Sequence, residues 1–262
     1  MSTVNNWASS LGADYSFIDD HLFDYVPDWY KEKVNNDILP VSDLARLEVA
    51  KELLSKGYDR AIWIDADVLV FHPQLFTINI TGNYAFCREV WLEKLRWKES
   101  LLETLKKGGG WHSGSCDHRV NNSVAVFVRG NLMLDFYIDA CKFIIKDAQG
   151  DISRWSVGTY FLTNLYRVHA FPLLNNVGLF SPPVLRDLAN GKGPYLRVQT
   201  REFGTPVYAA NLCGSSAGKE IDGKVIINDQ IYEQAIDKLM ATKGAIVNRH
   251  LNNLTSATIK SE

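Results

Sequence analysis

The chain has 262 residues, of which 46% are hydrophobic and 22% charged, with a formal net charge of −2. These are ordinary proportions for a soluble globular protein, and so small a charge gives no basic field to attract nucleic acid or anionic lipid. The longest apolar runs, about ten residues, are too short to span a bilayer. The N-terminus, Met1 to Asn6, lacks the basic-then-apolar layout of a signal peptide. Cys87, Cys116, Cys141 and Cys213 are scattered without a Cys-x-x-Cys pair. This argues against cysteine-bound zinc and for reduced thiols in a cytoplasmic protein. With no internal repeat and no long linker, a single domain over residues 1–262 is expected.

In chain order, Asp14 to Asp19 reads as a short strand. Ser42 to Lys56 reads as a helix, with Ser42 as N-cap and Gly57 at the position past its end. Residues 60–64 form a buried strand, 68–71 a second, and Ala85 to Cys87 another. Glu89 to Lys107 reads as a helix, followed by a glycine-rich loop from Lys107 to Cys116. Val124 to Val128 is a strand, Leu132 to Lys146 an amphipathic helix, Trp155 to Tyr166 a further helix, and Val168 to Phe171 a strand. Beyond residue 172 prolines and glycines recur, and this part is read as loops wrapping the same core. Strands alternating with helices predict an α/β fold whose mixed sheet is mostly parallel and flanked by helices.

Two acids, Asp65 and Asp67, interrupt the apolar run Arg60-Ala61-Ile62-Trp63-Ile64-Asp65-Ala66-Asp67-Val68-Leu69-Val70-Phe71. Carboxylates are costly to bury uncompensated, and a hard divalent cation with oxygen ligands is a natural compensation. The acids also end a buried strand, the edge at which open α/β sheets bind ligands. On a helical wheel, Leu47, Ala50, Leu53 and Leu54 gather on one side of the preceding helix, and Asp43 and Arg46 fall on that same side. A buried arginine needs an anion, either an aspartate or a diphosphate. Asp43 reads either as a first-turn acid paired with Arg46 or as a second group reaching a site.

The string Ser42-Asp43-Leu44-Ala45-Arg46, followed by Gly57 to Val70, resembles nucleotide-sugar glycosyltransferases of the GT-A fold. The nearest likeness is to glycosyltransferase family 8 and its DxD-containing relatives, and it is best over residues 41–76. The resemblance implies a metal-dependent transferase that moves a sugar from a UDP- or GDP-sugar to a glycan or small-molecule acceptor, with retention at the anomeric carbon. It implies Mn²⁺ or Mg²⁺ on Asp67 and Asp65, the latter also reaching the ribose, with Ala66 between them in the donor site. Asp43 and Arg46 match donor-contacting positions. Asn122 and Ser123 match the family's Asn-Ala-Gly turn, where the asparagine binds the sugar; the alternative for Asn122 is a plain turn before a strand. His250 matches a third metal ligand, while Asn253 and Ser256 stand where the family has glycine and lysine. Gly158-Thr159-Tyr160 occupies the place of a family acid, so no catalytic residue is assigned. The chain begins at what matches the family's first helix, Val4 to Leu11, and the base-binding strand before it has no counterpart. A homo-oligomer is compatible with the resemblance.

Two further features read both ways. The Gly108–Gly114 loop is either a lid over the donor or a surface loop, and Trp91, Trp97 and Trp111 either stack on sugars or pack. The stretch Gly204 to Ser216 is either part of an acceptor site or a strand and turn. Two other functions compete: a non-catalytic nucleotide-sugar-binding member of the same fold, and a haloacid-dehalogenase-type phosphatase. The phosphatase motif needs a threonine where this chain has Leu69.

Overall fold

The structure, a computed structural model, describes residues 2–93, 116–221 and 223–251. The chain opens with α1 (Ser2–Ser10), a 3₁₀ turn (Asp20–Tyr25), α2 (Asp28–Lys33) and α3 (Ile38–Ser55). Four strands follow: β1 (Arg60–Ile64), β2 (Val68–Val70), β3 (Tyr84–Leu92) and β4 (Cys116–Val128). Next come α4 (Leu132–Asp147), α5 (Thr159–Val168), β5 (Leu173–Leu174) and β6 (Val177–Leu179). The remainder holds α6 (Pro182–Ala189), α7 (Pro194–Phe203), β7 (Ala209–Asn211), β8 (Glu220–Ile221), β9 (Val225–Ile226), α8 (Asp229–Thr242) and α9 (Ala245–Asn248). Among the described residues no helix is long and apolar enough to cross a membrane.

The fold is α/β, with mixed sheets flanked by helices, but parallel pairing is the minority. One sheet has the order β1-β4-β3-β5, and a second has β2-β7-β6. β4 runs antiparallel to both β1 and β3, and β2 antiparallel to β7; among the described residues only β3–β5 and β6–β7 are parallel. The expectation of a mostly parallel sheet rests on helices alternating with strands, whereas β1 to β4 follow one another with no helix between them among the described residues, and the strands are apolar on both sides. The cause of that pattern is two-sided burial. Ala61, Trp63, Phe86, Ala125 and Phe127 face a core shared with α3, α4 and α5. Their alternating neighbours Ile62, Ile64, Ala85, Val124 and Val126 face a core shared with α1, β2, β6 and β7. Both sides are covered, so the run is apolar whatever the strand direction.

Several boundaries differ from the sequence reading. The helix read from Ser42 starts at Ile38, because the Asp37 carboxylate accepts the Leu39 N–H at 3.1 Å and forms the cap. Pro40 falls in the first turn, where an N–H would have no intrahelical partner in any case. The Ser42 hydroxyl instead donates to Leu39 O at 2.9 Å. Gly57, at φ +102°, ends the helix as expected. Residues 14–19 pair with no strand among the described residues. Residues 89–92, read as the start of a helix, continue β3; the rest of that stretch and the Gly108–Gly114 loop lie outside the described residues. The helix read from Trp155 begins at Thr159 and runs to Val168, and the strand expected at 168–171 is displaced to Leu173–Leu174.

The segment beyond residue 172 is not a set of loops. α6, α7, α8 and α9 enclose their own core, which includes Phe180, Leu185, Leu196, Phe203 and Leu239 together with Phe71, Val90 and Leu92. Three of its prolines begin helices: Pro182 and Pro183 open α6, and Pro194 opens α7. Asp187 joins the two helices. Its buried carboxylate accepts the N–H groups of Tyr195 (2.8 Å) and Leu196 (3.3 Å) at the start of α7. A Cβ on Gly193 would overlap that carboxylate, so the close approach requires glycine. Asp187→Ala leaves the buried start of α7 without its acceptor, and urea denaturation should show a loss of about 1–3 kcal/mol.

Candidate functional site at the junction of the two sheets

β1 and β2 are consecutive in the chain but lie in different sheets, and residues 65–67 form the turn between them. The acidic pair is therefore a junction. Asp65 extends the β1–β4 ladder through its N–H to Ser123 O at 2.8 Å. Asp67 begins the other sheet, where its C=O accepts the Leu212 N–H at 3.0 Å. Asp65 and Asp67 are half-buried, and Ala66 is exposed at the tip.

Arg46 reaches the turn from α3. Its side chain is 7% exposed, and every polar edge is engaged. Nε donates to Ser42 O at 3.0 Å, and Nη2 to Ser42 Oγ at 3.3 Å. Nη1 lies 3.1 Å from Asp65 Oδ1 and donates to Asn122 O at 3.1 Å and Asn122 Oδ1 at 3.2 Å. Nη2 sits 3.5 Å from Asp43 Oδ1, and the guanidinium lies 5.6 Å from the centre of the Trp63 ring. Asn122 returns a bond from Nδ2 to Asp43 Oδ1 at 2.9 Å. Tyr137, whose hydroxyl donates to Val157 O at 2.7 Å, closes the group from α4 at 3.4 Å from Asn122 Nδ2. The sequence-predicted residues Asp43, Arg46, Asp65 and Asn122 thus converge on one point.

Asn122 is not in a turn. It lies within β4 at a bulge: Phe86 pairs with Ala125 but Cys87 with Asn121, so residues 122–124 have no partner on β3. The thiol of Cys87 fills the gap, bonding Val124 O and Val124 N at 3.0 Å each. Burial pushes that thiol up to about 12, which keeps it protonated and available as a donor. The bulge releases β4 from the β3 ladder where Asn122 bonds Arg46 and Asp43, a common role for bulges beside functional sites. Ser123 is buried in the same bulge and its hydroxyl lies 3.5 Å from Cys87 Sγ.

Asp67 is held from the other side. Oδ1 accepts from Asn211 Nδ2 at 2.8 Å, and Oδ2 from the Gly214 N–H at 2.8 Å. Asn211 Oδ1 in turn accepts the Cys213 N–H at 2.6 Å, an Asx turn that aims Gly214 at the carboxylate. Sequence reasoning missed Trp63, Asn211, Gly214 and Tyr137 as members of this group. For Trp63 a signal existed: it stands two residues before Asp65, on the same strand face, and its Nε1 donates to Asp65 Oδ1 at 2.6 Å.

The electrostatics are unbalanced. Asp43, Asp65 and Asp67 all act on Arg46, raising its pKa against the desolvation that lowers it. Two carboxylates contact the guanidinium, Asp65 at 3.1 Å and Asp43 at 3.5 Å, and Asp67 acts on it from farther away, so the acids outnumber the cation. Burial is the main cause that pushes Asp65 up to about 6, with Asp67 and Asp43 adding to it and Arg46 opposing. Burial likewise raises Asp43. Gly158 opens the stretch Gly158-Thr159-Tyr160 that takes the place of a family acid, and it has a steric role: a Cβ there would overlap the Asp43 carboxylate.

His250 is not brought to the acids by any observed contact. Its Nε2 accepts from Arg249 Nε at 3.3 Å, and burial, Arg249 and Arg197 hold its pKa below the ordinary value. Among the described residues no group of three or more His, Cys, Asp or Glu side chains converges at metal-binding spacing. Of the aromatic cluster only Trp91 is described; its Nε1 donates to Glu93 at 3.2 Å and Lys219 Nζ lies 5.9 Å from the ring centre. Trp97 and Trp111 lie outside the described residues. Comparison with protein-family models, with curated proteins and with solved structures finds no match.

Arg46→Met removes the cation from among buried acids, and urea denaturation should report a loss of about 3–5 kcal/mol. The raised carboxyl of Asp65 binds its proton more tightly in the folded chain than in the unfolded one. Its contribution to stability is therefore present below pH 3.8 and lost as pH rises through about 6. Across that window the melting temperature of the wild type should fall relative to Asp65→Asn.

Proposed function

We propose that the junction is the donor site of a metal-dependent glycosyltransferase acting on a nucleotide-diphosphate sugar, UDP- or GDP-linked. The observation that carries the reading is the acidic turn itself: Asp65 and Asp67 stand one residue apart and half-buried between two sheets, with Asp43 nearby and Arg46 paired to Asp65 and Asp43. A hard dication, Mn²⁺ or Mg²⁺, takes oxygen ligands and suits a surplus of carboxylates. Asp65 and Asp67 are the residues that would hold it. Each keeps carboxylate lone pairs beyond those used by Trp63, Arg46, Asn211 and Gly214. Such an ion supplies Lewis-acid neutralisation of the leaving diphosphate. Arg46 and Asn122 hold the turn in place, and Asp43 is held with them. His250 stays outside this minimal set.

Thermal shift with UDP or GDP, with and without Mn²⁺, tests the reading. Stabilisation should require nucleotide and metal together, since only a ligand bound by the folded state raises the melting temperature. Asp67→Asn should abolish it. Absence of any shift would mean that the acidic turn serves only to clamp the two sheets. Release of the free sugar or its transfer from a nucleotide sugar then separates a transferase from a non-catalytic nucleotide-sugar-binding protein.

A further inference from the structure

A polar concavity lies on the same side of the first sheet as the acidic junction. It has a volume of about 420 Å³, and its lining includes Arg88, His118, Arg119, Tyr166, Arg167 and Asn175. β4 and α5 connect the two places. Asn122 and His118 are four residues apart on β4, about 13 Å at strand spacing. On α5, Gly158 at the helix start touches Asp43, Thr163 Oγ1 accepts the Val120 N–H at 3.0 Å, and Tyr166 and Arg167 reach the cleft. The rise from 158 to 166 is about 12 Å.

The cations of the cleft are not equally neutralised. Arg119 is paired, with Asp117 at 2.6 Å and Glu89 at 3.6 Å. His118 faces Glu202 at 3.5 Å, and Glu202 also meets Arg201 at 3.1 Å. Arg88 is different. Its guanidinium donates to the carbonyls of Phe203 and Glu202 at 2.8 Å each and lies 5.3 Å from the centre of the Phe203 ring. Carbonyls fix a guanidinium in place without cancelling its charge. Arg167 is exposed and donates to Asn164 Oδ1 at 3.3 Å. Neither Arg88 nor Arg167 has a carboxylate partner among the described residues.

We propose that this cleft binds a compact oxyanion, a phosphate or carboxylate carried on a small ligand. Arg88 is the pre-positioned donor, because a guanidinium already held by carbonyls loses little freedom on binding. Arg167 closes on the anion from α5, and Asn175 supplies a neutral donor. This goes beyond the donor-site reading and does not depend on it.

Calorimetric titration with inorganic phosphate at constant ionic strength, without metal, tests the site. The wild type should bind, Arg167→Glu should weaken binding by about tenfold or more, and Asp67→Asn should leave it unchanged. Arg167 is exposed, so its substitution should not alter the melting temperature in phosphate-free buffer. Arg88→Gln should lose binding as well. No binding by the wild type, or equal binding by Arg167→Glu, would overturn the proposal, as would loss of binding in Asp67→Asn. Glucose 6-phosphate and glucuronate, run as separate arms, distinguish a sugar-borne phosphate from a carboxylate; displacement of phosphate by either supports the site.

Discussion

The buried guanidinium of Arg46 is the constraint on which the site depends. A cation removed from water must be matched by anions and by acceptors for its N–H groups. Ser42 on its own helix, Asp65 at the end of β1 and Asn122 in β4 meet that demand together. One side chain therefore ties α3 to the neighbouring strands β1 and β4 of the first sheet. Asp43 adds a carboxylate that Arg46 alone cannot balance, since Asp65 and Asp67 share the same cation. The residual negative charge is a consequence of how the fold is held together, and it is also what makes the place chemically distinctive.

The position of Asp67 adds a second consequence. Its carboxylate is bonded by Asn211 and Gly214, which belong to the part of the chain that follows α7. Asp65 belongs to the first sheet and Asp67 to the second, with one exposed residue between them. Anything that pulls on both carboxylates acts on the relation between two sheets. The Cys87 thiol and the bulge it fills perform a similar service on the opposite strand, by letting β4 leave one ladder while it keeps the other.

Much of the site was legible before any coordinates. The charged pair Asp43 and Arg46 on an apolar helix face, and two acids in an apolar strand, are local anomalies whose energetic cost implies partners. What could not be read was the identity of those partners. Asn211 is 144 residues from Asp67, and no periodicity encodes that distance. Asn122 looked like a turn residue, because Asn-Asn-Ser before an apolar run is a turn signal; its place in a bulge follows from how β3 and β4 pair. The prolines after residue 172 were read as breakers, yet at the first position of a helix a proline gives up nothing.

The sequence by itself determined the helix that carries Asp43 and Arg46, the apolar strand β1, and two acids at its end whose burial demands partners. Those properties reside in side-chain periodicity and in the cost of burying charge, both local along the chain. Only the tertiary structure decided strand direction, the division of the apolar residues among separate cores, and the gathering of Arg46, Asn122, Asp65 and Asp67 at the seam between two sheets. A strand buried on both faces carries the same apolar pattern whether its neighbours run parallel or antiparallel. Direction and neighbourhood are therefore fixed by the packing of distant segments.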